Sequence, residues 1–233
     1  MTANAPLGRR QPSLPNPVPP TESEPGWTRR TCSSPAIIKR YESKKKGRTM
    51  SPRLRAAGPE DAEGIALLHA DSWRRHYRGA YSDSYLDGDI LTDRLSVWSS
   101  RLVAPTHSMT AVAEDHAGLA GFVHVVFDDD DLWGSLVDNL HVAHDRQRTG
   151  VGMTLLARAV EAVAQEATGK SLYLWVQEQN VSAQRFYRAM GGNCSERAPI
   201  SPPGGVPSRL NGKPDKLRFT WPDTSALART TDR

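Results

Sequence analysis

The chain predicts a mixed α/β fold on a mostly antiparallel sheet, and three observations carry that expectation. Apolar alternation and helical periodicity between residues 54 and 221 order the elements β–α–α–β–β–β–α–β–α–β. The apolar strand Leu136–Val142 is followed by an amphipathic helix and then by a second apolar strand, Ser171–Gln177. A strand reached through a helix lies parallel to the one before it. The earlier strands are joined by short turn signals instead, which makes them antiparallel neighbours.

Composition bounds the class. The 233 residues are 38% hydrophobic and 24% charged, and no apolar run is long enough to cross a bilayer. The net charge of +4 hides an asymmetry. Residues 1–49 carry ten Lys/Arg against three acidic residues, net +7, and the remainder carries twenty against twenty-three, net −3. The basic character therefore belongs to the first segment and says little about what the folded part binds. That segment holds seven prolines within residues 1–26 and a Lys44–Arg48 run, KKKGR. It lacks the apolar content to offset its ordering entropy, so residues 1–50 are expected to be a disordered tail. The basic run suits either a nucleic-acid or targeting patch or a solvated tail, and the second is commoner. Cys32 and Cys194 form neither a disulfide framework nor a metal-ligand spacing, and no metal is expected. With no secretory signal core, a cytoplasmic protein is expected, and no membrane partner.

Leu54–Ala56 is a short first strand. Pro59, Glu60 and Asp61 then start a helix whose face carries Ile65, Leu68, His69, Ser72, Trp73 and His76, ending near Gly79. An aromatic, turn-rich loop follows, and a second helix is expected over Asp93–Leu102 with Leu95, Trp98 and Leu102 inward. Met109–Glu114 and Leu119–Phe127 make a hairpin, closed by Asp128–Asp131. After the helix that follows Gly152 and the strand Ser171–Gln177, a helix spans Ser182–Met190 between Asn180 and Gly191-Gly192. Lys216–Trp221 is the last strand, which places the domain at 51–223 with a short tail over 224–233.

The informative stretch is Gln147-Arg148-Thr149-Gly150-Val151-Gly152, between strand and helix. Glycines there let an anion approach the backbone, and the helix start offers unpaired N–H groups at the positive end of its dipole. Leu155 occupies the third glycine position of a dinucleotide fingerprint, and no Gly-Lys-Ser/Thr follows, so neither a Rossmann site nor a P-loop is present.

Together the strand LVDNLHV, the loop QRTGVG, its helix, the strand SLYLWVQ and the segment NVSAQRFYRAMGG resemble the GNAT superfamily of acetyl-CoA-dependent N-acetyltransferases, over about Arg53 to Pro222. The resemblance implies that β-strands Leu136–Val142 and Ser171–Gln177 splay apart to admit acetyl-CoA, with helices on both faces of the sheet. The backbone of Leu140, His141 and Val142 would pair with the pantetheine arm. Gln147, Arg148, Thr149, Gly150, Val151, Gly152 and Met153 would hold the pyrophosphate. Asn180 would contact the pantetheine, and Tyr187 would sit near the sulfur as the acid that protonates the departing thiolate. On spacing alone Tyr187 is core.

A base for the attacking amine is less plainly marked. Asp138 and His141 are polar residues in a central strand, each suited either to catalysis or to a satisfied structural role. Their parity differs, so they should face opposite sides unless a bulge intervenes. Some similar enzymes carry a glutamate in the strand where Trp175 and Val176 stand here. The acceptor pocket is expected from Trp73, Tyr77, Tyr81, Asp83 and Tyr85, since aromatic rings beside an acid suit a cation. Trp73 equally suits anchoring its helix. Asp128–Asp131 is either a lure for a polycation or a solvated hairpin tip.

The expected function is direct acetyl transfer from acetyl-CoA to an amine of a small molecule or peptide. A non-catalytic acyl-CoA-binding module is the rival reading. The acceptor and the oligomeric state are not legible, and a homodimer is compatible with the sequence.

Overall fold

The computed structural model describes residues 52–225 and Leu227. The tail expected over residues 1–50 lies outside the described residues. The first strand, β1 (Arg53–Ala56), leads through a 3-10 turn at Pro59–Asp61 into α1 (Ala62–His76). Arg55 fixes this turn by donating to both carboxylate oxygens of Asp61, at 2.6 and 2.7 Å, while Asp61 also accepts from the Gly58 amide. A short helix α2 (Asp83–Asp87) and then α3 (Ile90–Val103) follow. The sequence predicted a loop for the first of these and a later start for the second. Five residues give no helical periodicity to read, although α2 buries Tyr85 and Leu86.

The strands β2 (Ser108–Asp115), β3 (Gly118–Asp130) and β4 (Gly134–Val142) form an antiparallel meander. Helix α4 (Val151–Glu166) returns the chain to β5 (Leu172–Gln177), which pairs parallel to β4. Helix α5 (Val181–Ala189), β6 (Asn193–Pro199) and β7 (Asp215–Trp221) complete the order β1-β2-β3-β4-β5-β7-β6. The mixed sheet with one parallel pair is as the sequence predicts. The seventh strand, β6, is an addition to it: Asn193–Pro199 is exposed along almost its whole length and has no apolar face. An edge strand held by backbone pairing and by surface ion pairs of Glu196 and Arg197 leaves no apolar mark in the side-chain pattern.

Two cores flank the sheet. On one face α1 and α3 enclose Ile65, Ala66, Trp98 and Leu102 against Val112 and Phe122. Leu95, expected inward, is exposed. On the other, Leu155, Leu156, Val160 and Val163 of α4 cover Val123, Val125 and Val137. Burying a Leu or Val side chain contributes about 1.5–3 kcal/mol, so these stripes, rather than helix propensity, hold the layers. Beyond β7, Thr224 and Leu227 are also buried, and the Thr224 amide donates to the Lys170 carbonyl at 3.0 Å.

Candidate functional site

The parallel pairing of β4 and β5 is brief. It joins Ser135, Leu136 and Val137 to Leu172, Tyr173 and Leu174, and then stops, although β4 continues to Val142 and β5 to Gln177. The two strands therefore part in the middle of the sheet. Their backbone groups on the facing edges from Asp138 and Trp175 onward form no ladder with each other.

A bulge sits where they part. Val137 pairs with Val125 and Asn139 with His124, so Asp138 is an extra residue on β4. The extra residue reverses the expected parity. Leu140 and Val142 pack with the α4 core, whereas His141 turns to the α1 side, its ring 4.5 Å from that of His69 and 5.3 Å from Phe122. Asp138 turns the same way, accepting from Arg101 of α3 at 2.6 Å and from the Asn139 side-chain Nδ2 at 2.7 Å. The exception allowed for in the sequence thus holds: one bulge brings Asp138 and His141 to one wall.

Burial governs the titration of this wall. His141 shares a 2.8 Å hydrogen bond between its Nδ1 and Ser72 Oγ, and desolvation pushes its pKa down to about 3. Desolvation likewise lowers His124 to about 4 and His69 well below its usual value. His69 accepts from Trp98 Nε1 at 3.0 Å, and its Nε2 is buried without a partner. All three rings are neutral at neutral pH.

The strand–loop–helix unit closes one end of the cleft. Arg148 and Gly150 adopt left-handed backbone, with φ of 64° and 100°. The amides of Arg148, Thr149 and Gly150 donate no hydrogen bond among the described residues, and the first bond of α4 runs from Thr154 to the Gly150 carbonyl at 3.0 Å. Val151, Gly152 and Met153 are then the free first-turn amides. No acidic residue stands in that turn to neutralise them. A Cβ on Gly150 would meet nothing within 4 Å, so the space in front of this cradle is open. The donor set fits a pyrophosphate.

The acid and cap candidates sit on α5. Asn180 caps it, its side-chain oxygen accepting from the Ala183 amide at 3.1 Å. Tyr187 is 7% exposed, with its ring between Phe186, Phe219 and Trp221 at centroid distances of 5.3–6.2 Å. Burial raises its pKa, so the hydroxyl keeps its proton. Its hydroxyl nonetheless acts electrostatically on Tyr77, a residue of the α1 side that also feels Asp138.

Trp73, Tyr77, Tyr81 and Tyr85 form one aromatic cluster, with successive ring centroids 5.1–6.5 Å apart. Desolvation raises Tyr81 and Tyr85 to about 12. Asp83 is not part of the cluster; it is exposed and ion-paired with Arg78 at 2.8 Å. The acidic run belongs to the fold: Asp128 accepts from the Thr168 and Gly169 amides, Asp129 from the Tyr173 hydroxyl, and Asp130 from the Leu132 and Trp133 amides. Sequence reasoning passed over Arg94, Arg101 and Gln177. The two arginines stand seven residues apart, which places them on one face of a helix, and that spacing was the available signal. A groove of about 470 Å³ lined by Leu67, Leu68, Asp71 and His144 contains none of the candidate catalytic side chains. A smaller one of about 290 Å³ lies between Ala80, Gln179 and Asn211, at the rim of the aromatic cluster.

Among the described residues no cluster of metal-ligating side chains occurs, and no helix is long and apolar enough to cross a membrane. The model of the Acetyltransferase (GNAT) family matches residues 70–191. An uncharacterized N-acetyltransferase of Bacillus subtilis (strain 168), YuaI, is 31% identical over 186 residues, 77% of this chain and 98% of its own. A probable N-acetyltransferase of Mycobacterium tuberculosis, Rv2775, is 32% identical over 58% of this chain and 76% of its own. In fold, the chain is similar to the PaiA N-acetyltransferase of Thermoplasma acidophilum, solved in complex with coenzyme A: TM-score 0.57, 19% identity, 74% of this chain and 100% of that one. The splayed parallel pair, the glycine-bearing loop and these likenesses lead to one conclusion: the chain belongs to the GNAT family of acetyltransferases, and it is an acyltransferase.

Proposed function

We propose that this protein transfers the acetyl group of acetyl-CoA directly to an amine of a small molecule or peptide, within the cleft between β4 and β5. The observation that carries the reading is the end of the parallel ladder at Val137 and Leu174, directly before the bulge that puts Asp138 and His141 on the same side of β4. A neighbour in fold is described as a complex with coenzyme A, and the amide cradle at Arg148–Met153 suits the same group here.

Each residue then has a task. The amides of Arg148, Thr149, Gly150, Val151, Gly152 and Met153 hold the pyrophosphate, with the Arg148 side chain adding charge and Gln147 leading into the loop. The free backbone edge of Leu140, His141 and Val142 pairs with the pantetheine as an added strand. A backbone N–H there can polarise the thioester carbonyl as negative charge develops on its oxygen. The side-chain NH₂ of Asn180, not used in its cap, donates to the pantetheine.

The amine nitrogen bonds to the acetyl carbon as the carbon–sulfur bond breaks. Asp138 takes the proton the amine loses, with neutral His141 beside it as a hydrogen-bond acceptor. Tyr187 gives its proton to the departing thiolate. Trp73, Tyr77 and Tyr81 wall the acceptor; Asp83, on the surface, is left outside this wall. The test is release of free thiol from acetyl-CoA across a panel of amines. Amine-dependent release with an N-acetylated product supports the reading; acetyl-CoA binding without release for any amine would make this a cofactor-binding module instead.

A further inference from the structure

The acceptor wall carries more positive charge than an amine-binding site needs. Arg94 of α3 lies with its guanidinium 4.5 Å from the centroid of the Trp73 ring, its side chain only 12% exposed. Its Nε and Nη2 donate to one oxygen of Asp93, at 3.0 and 2.5 Å. Its Nη1 makes no hydrogen bond among the described residues and is not among the enclosed unpartnered atoms, so it keeps some access to solvent.

Asp93 does not belong to Arg94 alone. Arg209 donates to its other oxygen at 2.8 Å, and the Tyr85 hydroxyl donates to the first at 2.9 Å. The remaining carboxylate of the wall, Asp138, is taken by Arg101. Three guanidinium groups thus face two carboxylates: Asp93 is shared by Arg94 and Arg209, and Asp138 is paired with Arg101 through one oxygen, which leaves its other oxygen for the reacting amine. The surplus charge acts on the site itself: Arg94 favours ionisation of Tyr77 and Tyr81 and opposes protonation of His141. Gln177 of β5 is 5% exposed, and its side-chain amide closes no hydrogen bond through either its oxygen or its nitrogen. It faces the Tyr81 hydroxyl without completing a bond. Buried donors and acceptors left unpaired are costly, and a guanidinium with free donors matches a carboxylate.

We propose that the acceptor is an amine that also carries a carboxylate, a molecule of the amino-acid class. Its carboxylate binds Arg94 Nη1 and the Tyr81 hydroxyl, leaving the amine free to face the β4–β5 cleft. This rests on the acetyl-transfer reading above. It also disfavours polyamines, because with Asp138 given to the reacting amine a second ammonium would meet surplus positive charge.

The test compares α-amino acids with their own carboxamides, and with spermidine, by thiol release from acetyl-CoA on the unmodified protein. A charge-assisted hydrogen bond contributes about 1.5–3 kcal/mol, so kcat/KM is expected to fall about 10- to 100-fold from acid to amide. In Arg94→Gln the acid should lose that advantage over its amide while calorimetric acetyl-CoA affinity is unchanged. Turnover of spermidine or of the amides at rates equal to or above the acids would overturn the carboxylate assignment and leave acetyl transfer standing. Failure of every amine, with acetyl-CoA still bound, would overturn both. Because acid and amide are compared on the unmodified protein, a folding defect in the variant leaves that comparison intact.

Discussion

Replacing Gly150 by leucine separates the anion cradle from the fold. Gly150 has φ near 100°, a conformation that costs an ordinary residue about 1–2 kcal/mol. Nothing in the protein lies within 4 Å of the Cβ that would be added, so no packing clash adds to that strain. For a chain of this size the loss corresponds to a fall in Tm of about 2–8 °C. Ligand affinity should suffer far more. The new side chain would occupy the open space onto which the amides of Arg148–Met153 converge. Displacing an anion from two charge-assisted hydrogen bonds costs about 3–6 kcal/mol, more than 100-fold in Kd. Calorimetric titration with acetyl-CoA and a thermal melt read both quantities on one preparation. A melt within the expected range together with an unchanged Kd would refute the anion-site assignment.

Three further outcomes follow from the same geometry. Asp138→Asn should lower kcat by about 10²–10⁴ as a lost general base, while acetyl-CoA affinity holds; an unchanged kcat would remove Asp138 from the mechanism. Gly152→Leu should disturb Phe186, which a Cβ there would approach at 3.5 Å, and so alter the fluorescence of Trp221 on the far side of Tyr187; an unchanged spectrum would refute that packing route. Stability should fall between pH 6.5 and 5. In that window the unfolded chain protonates His124 and His141 whereas the folded one, with pKa values near 4 and 3, does not. At pH 5 each opposes folding by about 2 kcal/mol, and the arginine-held carboxylates of Asp61 and Asp93 begin to protonate only at lower pH. A Tm flat from pH 7 to 5 would contradict the burial of these rings.

Much of this architecture is legible in the residues because its signals are periodic or glycine-bound. The strand Leu136–Val142, the loop with Gly150 and the stripe of Leu155, Leu156 and Val163 declare a strand–loop–helix unit, and the parallel return to Leu172 follows from the helix between. Asn180 and the Gly191-Gly192 pair bracket α5 in the same manner. What was not legible lacks such a signal. The exposed edge strand Asn193–Pro199 buries no face. The bulge at Asp138 is one residue inserted without glycine or proline, so parity counting alone put Asp138 and His141 on opposite sides. The ion pairs of Arg101 with Asp138 and of Arg209 with Asp93 depend on where α3 meets β4 and the segment before β7, a long-range fact that local sequence does not carry.

The most direct test of the cleft as the catalytic centre is the turnover number of Tyr187→Phe, measured by thiol release beside calorimetric acetyl-CoA affinity. The ring keeps its packing against Phe219 and Trp221, and only the hydroxyl is lost. The account predicts an affinity close to that of the unmodified protein and a kcat lower by about 10²–10⁴. An unchanged kcat would contradict it and move the proton donor elsewhere.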